Sequence, residues 1–277
     1  MTGKIIDLYR ILSLDICLGV SIMTYYFARL STHKVPAINY VIIFLAVFSI
    51  YSIDHLIDAV ILKKTASTVR HRFFQKNKTV LCIVTLIIII ADLILTYFYL
   101  PLSYIKAGSV LSILVIIYFA VNYFSFRFKF RNIYKELISS VIYTAGVALP
   151  ALTLSFRTEK STLLNMIQIL LIVYLNLIIF SYFDFENDTN DGYSSLSTSL
   201  GKALSLKVIY SVFIIFLILT IIKLFFFSSG VLYTILPLLM TGSLFLIIFF
   251  RDRFKENFRY RYFGDSIFLY PILLLFL

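Results

Sequence analysis

Long apolar runs alternate with short polar connections along the whole chain. The runs fall near 11–30, 38–60, 79–98, 107–124, 134–154, 163–183, 205–227, 229–250 and 263–277. About 20 apolar residues in a helix cross a hydrocarbon core of about 30 Å, so the pattern predicts an all-α integral membrane bundle. Nine transmembrane helices form it, within a single domain covering residues 1–277. The last run is short, and Tyr260 to Phe263 are expected to complete it. The first carries Asp15 and ends in no small-residue cleavage site, so it reads as a retained helix rather than a signal peptide. The longest polar connection is about 20 residues, which predicts no sizeable soluble domain.

Composition agrees with this pattern. A mean hydropathy of +0.96, with 61% hydrophobic and 14% charged residues, is outside the range of a soluble domain. Trp is absent, so the 20 Tyr and 28 Phe must supply the interfacial anchors. Aromatic stretches such as Phe225-Phe226-Phe227 read as lipid-facing or packing groups. Cys17 and Cys82 lie in apolar runs; they form neither a disulfide framework nor a metal-ligand spacing and read as packing residues.

A net charge of +11 would suit nucleic acid in a soluble protein, but here the placement of the charges argues otherwise. With the N-terminus inside, 19 of the 25 Lys and Arg fall on its side of the membrane and 6 on the other. That positive-inside bias predicts a cytoplasmic N-terminus, most naturally in a cell (inner) membrane, and makes the basic excess a topology signal. No nucleic acid and no obligate protein partner is expected.

Acidic residues are scarce and clustered. Of 14, six lie in Asp54-His55-Leu56-Ile57-Asp58 and in Asp184-Phe185-Glu186-Asn187-Asp188-Thr189-Asn190-Asp191. Each cluster closes a span running from outside to inside, so both emerge on the cytoplasmic face. They follow the second and sixth spans, a weak hint of internal duplication without a residue-level repeat. The i, i+4 spacing puts Asp54 with Asp58, and Asp184 with Asp188, on single helical faces, with Asp191 close to the second. Paired carboxylates repel unless a cation joins them. Two facing pairs form an oxygen-ligand set suited to Mg²⁺, which prefers to share its shell with phosphate and can neutralise a departing diphosphate. The alternative is that these acids cap helices or balance nearby Lys and Arg.

Basic residues flank the clusters. Lys63, Lys64, Arg70, His71, Arg72, Lys76 and Lys78 follow the first, while Arg127, Lys129, Arg131 and Lys135 sit in the next connection on that face. A diphosphate needs such donors, Arg above all; Arg70 and Arg72 are the foremost candidates, and contact with anionic lipid is the other explanation. Tyr143 is a candidate for contacting a donor or steering an acceptor, against a packing role. Asp15 and Asp265 are expected in interior ion pairs, Asp92 and Asn176 in polar contacts between helices. His55 is either a base or a partner for an aspartate, and His33 an exposed loop residue.

With these residues in view, the chain resembles the UbiA family of intramembrane prenyltransferases. That family has an Asp-x-x-x-Asp stretch, a Gly, a Ser/Thr-containing segment and a Leu/Phe-Gly pair nine residues beyond the first Gly. The chain reads Asp184, Asp188, Gly192, Ser194-Ser195-Leu196-Ser197-Thr198 and Leu200-Gly201. Tyr193 and Ser194 stand where the family often has Lys or Arg. In the first motif, usually Asn-x-x-x-Asp with a further Asp four on, Asp54 takes the Asn position, Asp58 the Asp and Leu62 the third; a slipped register would put Ile50 for Asn. Arg70-His71-Arg72 lies where an Arg-Pro segment is common. Lys129 to Glu136 looks like the basic, aromatic stretch of quinone-pathway members.

The resemblance implies a nine-helix bundle laterally open to lipid. It also implies Mg²⁺-dependent transfer of an isoprenyl group from a prenyl diphosphate to an aromatic, quinone-precursor or other lipophilic acceptor. Asp58, Asp184 and Asp188 would be catalytic; Asp54, Asp58, Asp184, Asp188 and Asp191 would hold Mg²⁺; Arg70, Arg72, Arg127, Lys129 and Tyr143 would bind substrate. Two other readings are a non-catalytic isoprenoid-binding protein and a cation-coupled transporter. The second would want acids near the midplane and helices broken by Gly or Pro.

Overall fold

A computed structural model describes residues 8–31, 34–61, 68–153, 160–227 and 230–276. Its long helices are α1 (Leu14–Leu30), α2 (Ala37–Ile61), α3 (Val69–Tyr99), α4 (Leu102–Phe128), α5 (Lys135–Thr153) and α6 (Lys160–Asp191). A short α7 (Leu196–Leu200) leads to α8 (Lys202–Phe226) and α9 (Leu232–Phe249). The chain closes with α10 (Arg251–Lys255), α11 (Arg259–Ser266) and a 3₁₀ stretch, Ile267–Leu275. No strand occurs among the described residues. Lys63, Lys64, Leu62 and His33 lie outside them.

Seven of these helices, α2 to α6 with α8 and α9, are long and apolar enough to cross a membrane, and the chain is an integral membrane protein. The first and last predicted spans differ. Helix α1 has 17 residues, about 25 Å at ~1.5 Å per residue and a little short of a hydrocarbon core. The last span is not one α-helix. Eight α residues are followed by nine of 3₁₀ helix with Pro271 inside. Because 3₁₀ rises ~2.0 Å per residue, the two parts together reach about 30 Å.

Burial ranks the helices. In the most apolar window of α6, 56% of residues are buried, against 6% in α3 and 11% in α4. The polar residues of α6 therefore need internal partners, whereas α3 and α4 turn apolar faces outward, as lipid contact requires. Helix α6 packs against α5, α8, α9 and α11, and α1 against α2, α5 and the 3₁₀ stretch. Val20, Met23, Ile172, Ile179, Phe216 and Met240 are among the side chains filling the space between them.

Two close fits position the site. Gly192, at φ 83°, ends α6, and both its N–H and that of Tyr193 donate to the Asp188 carbonyl at 2.8 Å. The chain thus turns back beside the acidic cluster. On α11, Gly264 faces α6 so closely that a Cβ would stand 2.5 Å from Asn176 Oδ1 and 2.6 Å from a Phe180 ring carbon. Gly264→Ala is therefore expected to cost about 1–3 kcal/mol through overpacking. A thermal melt in detergent checks this; an unchanged midpoint would mean that α11 slides freely.

Candidate functional site

The acidic clusters occupy the last turns of α2 and α6. At the same end of the bundle α3 and α5 begin, and this alternation converts sequence distance into proximity. Asp58 has Asp54, Asp188 and Lys135 as electrostatic neighbours, and Asp188 has Asp184, Lys135 and Arg261. The two clusters therefore share one site, and Lys135, the first residue of α5, reaches both. Between α2, α4, α5 and the Gly192 turn lies a cleft of about 460 Å³, its open side included. Asp54, Asp58, Phe119, Asn122, Lys135 and Tyr193 line it. An apolar wall with a few convergent polar groups is the usual character of a ligand site.

On the α3 side, the Thr68 hydroxyl caps the helix by accepting from the His71 N–H at 3.3 Å. That fixes the first turn, and His71 Nε2 stands 3.4 Å from Asp58 Oδ2. His55 is buried, edge-on to Phe74 with ring centroids 5.1 Å apart and 5.6 Å from the His71 ring. From the other flank Tyr193 couples electrostatically to Asp58. Burial first, and the Asp58 charge second, raise the Tyr193 phenol well above its ordinary value, so at neutral pH it keeps its proton for donation.

Asp184 has a different setting from the other acids. Tyr260 OH donates to its Oδ1 at 2.6 Å and Arg261 Nη2 to its Oδ2 at 2.5 Å. Tyr260 is itself stacked on Phe183, with centroids 4.4 Å apart and planes at 13°. The close packing at Gly264 brings these donors to α6. A carboxylate held by one donor per oxygen is oriented, and each oxygen keeps a lone pair for a cation or substrate.

The Ser/Thr segment after Gly192 is structural. Ser195 and Thr198 form a capping box for α7. The Leu196 N–H donates to Glu136 Oε1 at 2.9 Å and the Ser197 N–H to Ser181 Oγ at 3.0 Å. These protein acceptors occupy two of the amides that open α7.

The remaining expected residues are spread more widely. Asp191 is buried and lies in electrostatic range of His71 and Tyr193. Arg70 donates to the Arg10 carbonyl at 3.0 Å and lies in range of Asp15, Asp265 and Arg261. Arg10 pairs with Asp15 at 3.4 Å and covers the Tyr262 ring at 3.1 Å. Tyr143 packs on Phe268 with centroids 5.2 Å apart, and its buried hydroxyl, free of hydrogen bonds among the described residues, is an electrostatic neighbour of Tyr51 and Asp265. Arg72, Arg127 and Lys129 have exposed side chains. Asp92 Oδ1 and Asn176 Oδ1 are buried without a hydrogen-bond partner among the described residues.

Sequence reasoning missed Tyr260 and Arg261 as site residues and gave Lys135 no more weight than its basic neighbours. The only local signal for Arg261 was its i, i+4 relation to Asp265. As a donor set, Asp54, Asp58, Asp188 and Asp191 with the oriented Asp184 supply hard carboxylate oxygens. Their mutual repulsion is answered on the spot by few cations, which fits a divalent ion such as Mg²⁺.

No family model matches the sequence, and no curated protein matches it. The fold does have a counterpart. A solved structure of a digeranylgeranylglyceryl phosphate synthase in membranes aligns with 98% of this chain and 98% of its own, with a TM-score of 0.60 and 15% sequence identity. At that identity the likeness concerns the fold alone.

Proposed function

We propose that this protein transfers an isoprenyl group from a prenyl diphosphate to a lipophilic acceptor inside the membrane, with Mg²⁺. The observation that carries the proposal is the convergence of two carboxylate clusters with Lys135 and Arg261 at one end of an otherwise apolar bundle. Asp54, Asp58, Asp188 and Asp191 would hold Mg²⁺, joined by Asp184 through its remaining lone pairs. When bound, the ion neutralises negative charge on the diphosphate oxygens as they depart.

Lys135 and Arg70 serve the diphosphate as donors, with Arg72, Arg127 and Lys129 at the approach. The Tyr193 phenol can donate a hydrogen bond to the same group. Loss of diphosphate leaves an allylic cation, which the apolar walls shield from water until an acceptor attacks. Tyr143 would contact the isoprenyl chain or the acceptor. In this reading α1 and the 259–275 segment complete nine passes, and the charge bias puts the N-terminus and the site on the cytoplasmic side of the cell (inner) membrane.

Membranes containing the protein are expected to release diphosphate from at least one prenyl diphosphate of a chain-length panel. The reaction should need Mg²⁺ and yield a prenylated product of the corresponding mass. If no donor is consumed while purified protein still binds one, the non-catalytic isoprenoid-binding reading replaces transfer. The Tyr260 and Arg261 bonds to Asp184 are the feature that favours that second reading.

A further inference from the structure

We infer that His55, Asp58 and His71 form a binding site for a transition-metal dication, so that two imidazoles supply part of the metal's shell beside the first aspartate cluster. One ligand atom from each lies within 4.8 Å of the other two. A common centre is then no more than about 2.8 Å from each, and small side-chain rotations close that to a bond of about 2.0–2.2 Å.

The His55 nitrogens carry the inference. Its side chain is 6% exposed, and neither Nδ1 nor Nε2 has a hydrogen-bond partner among the described residues. A buried imidazole normally satisfies at least one nitrogen, because an unpaired polar atom there has given up its water without a replacement. His71 Nδ1 is likewise buried without a partner, while its Nε2 faces Asp58 at 3.4 Å. Phe74 packs against His55 and the Thr68 cap fixes the backbone turn carrying His71, so only small side-chain rotations separate the three groups from a common centre.

Two imidazoles and one carboxylate suit Co²⁺, Mn²⁺, Fe²⁺ or Zn²⁺, whereas Mg²⁺ prefers an all-oxygen shell. The inference deepens the proposed prenyl-diphosphate site and rests on that reading only for what fills the remaining positions. The metal site itself is testable without a substrate.

The probe is Co²⁺ alone, added to purified full-length protein stripped with a chelator. A saturable visible absorption band is expected, and a large excess of Mg²⁺ should not remove it. His55→Gln and His71→Gln should each weaken Co²⁺ binding at least about tenfold, while a change at the exposed Phe225, Phe225→Leu, leaves it unchanged. Pulsed electron paramagnetic resonance of Mn²⁺- or Cu²⁺-loaded wild-type protein should show imidazole nitrogen couplings. This second measurement decides the matter even if the histidine variants fail to fold. Absence of nitrogen coupling, or unchanged Co²⁺ affinity in both variants, would overturn the assignment and leave His71 and Asp58 as a simple imidazole–carboxylate pair. A protein that binds Co²⁺ in this way but consumes no prenyl diphosphate would keep the metal site and lose the transferase reading.

Discussion

Asp58→Ala is expected to lower consumption of a prenyl diphosphate at least about a hundredfold, the usual scale for removing one group that stabilises developing charge in a reaction. Asp58 stands among groups that bear on the chemistry: Asp54 on its own helix, Asp188 from α6, Lys135 from α5 and Tyr193 from the Gly192 turn. Its removal takes away one shared carboxylate and unbalances Lys135. Asp184→Ala is expected to be comparably severe for a second reason, because Tyr260 and Arg261 would lose the acceptor they hold at 2.6 and 2.5 Å. Diphosphate release and product mass from equal amounts of folded protein measure the effect. Wild-type rates in both variants would remove the transferase proposal. A fall for Asp184→Ala alone, accompanied by a lower melting point, would make Asp184 a positioning residue.

Lys223→Met should be the most destabilising change away from the site. Lys223 is 0% exposed, and its Nζ donates to Asn165 Oδ1 at 2.8 Å, Gln168 Oε1 at 3.1 Å and the Tyr233 carbonyl at 2.5 Å. Asn165 Oδ1 also accepts from Tyr26 OH at 2.8 Å, and Gln168 Nε2 donates to Thr220 at 2.9 Å. The network therefore ties α1, α6, α8 and α9 together. Methionine fills the volume but strands two acceptors, Gln168 Oε1 and the Tyr233 carbonyl, while Asn165 Oδ1 keeps the Tyr26 hydroxyl. At about 1 kcal/mol or somewhat more apiece within a membrane bundle, the expected loss is about 2 kcal/mol. Cys17, fully buried, provides the readout in a Cys82→Ser background, since its thiol becomes available to a fluorogenic reagent only on unfolding. An unchanged labelling temperature would mean that the network adds nothing. Adding Gln168→Leu should recover part of the loss by removing one stranded acceptor.

Lys223 also illustrates where linear reading stops. In the sequence it counts as one outer-side charge in a topology tally; in the fold it is the centre of a buried polar network. Its partners Asn165 and Gln168 lie 58 and 55 residues away, and nothing local announces them. The same holds at the site. The aspartate pairs were legible because i, i+4 spacing is a property of a single helix, and Asp54, Asp58, Asp184 and Asp188 all fall in helices. The roles of Tyr260 and Arg261 were not legible. They depend on the absence of a Cβ at Gly264, which lets α11 approach α6. Nor did the pattern reveal that the Ser/Thr segment after Gly192 spends its side chains and amides on capping and on Glu136 and Ser181.

The predicted spans divide in the same way. Seven matched helices of sufficient length because a long apolar stretch in lipid must satisfy its own backbone hydrogen bonds, and a helix does so locally. The last broke into α and 3₁₀ parts around Pro271, a departure that hydropathy cannot report because it counts side chains and not backbone bonds.

By itself, then, the sequence determined the membrane-embedded helical class, the alternation that sends both acidic clusters to one end, and the facing of each pair. These follow from hydropathy, chain parity and helical periodicity, which act within one segment or between successive ones. Only the tertiary structure decided which cations meet those acids, that Asp184 is held by Tyr260 and Arg261, and that His55 and His71 come together beside Asp58. Each of these needs side chains from separate helices within a few ångströms, and that distance is set by how the helices pack, at Gly264 and around Phe74, rather than by any spacing along the chain.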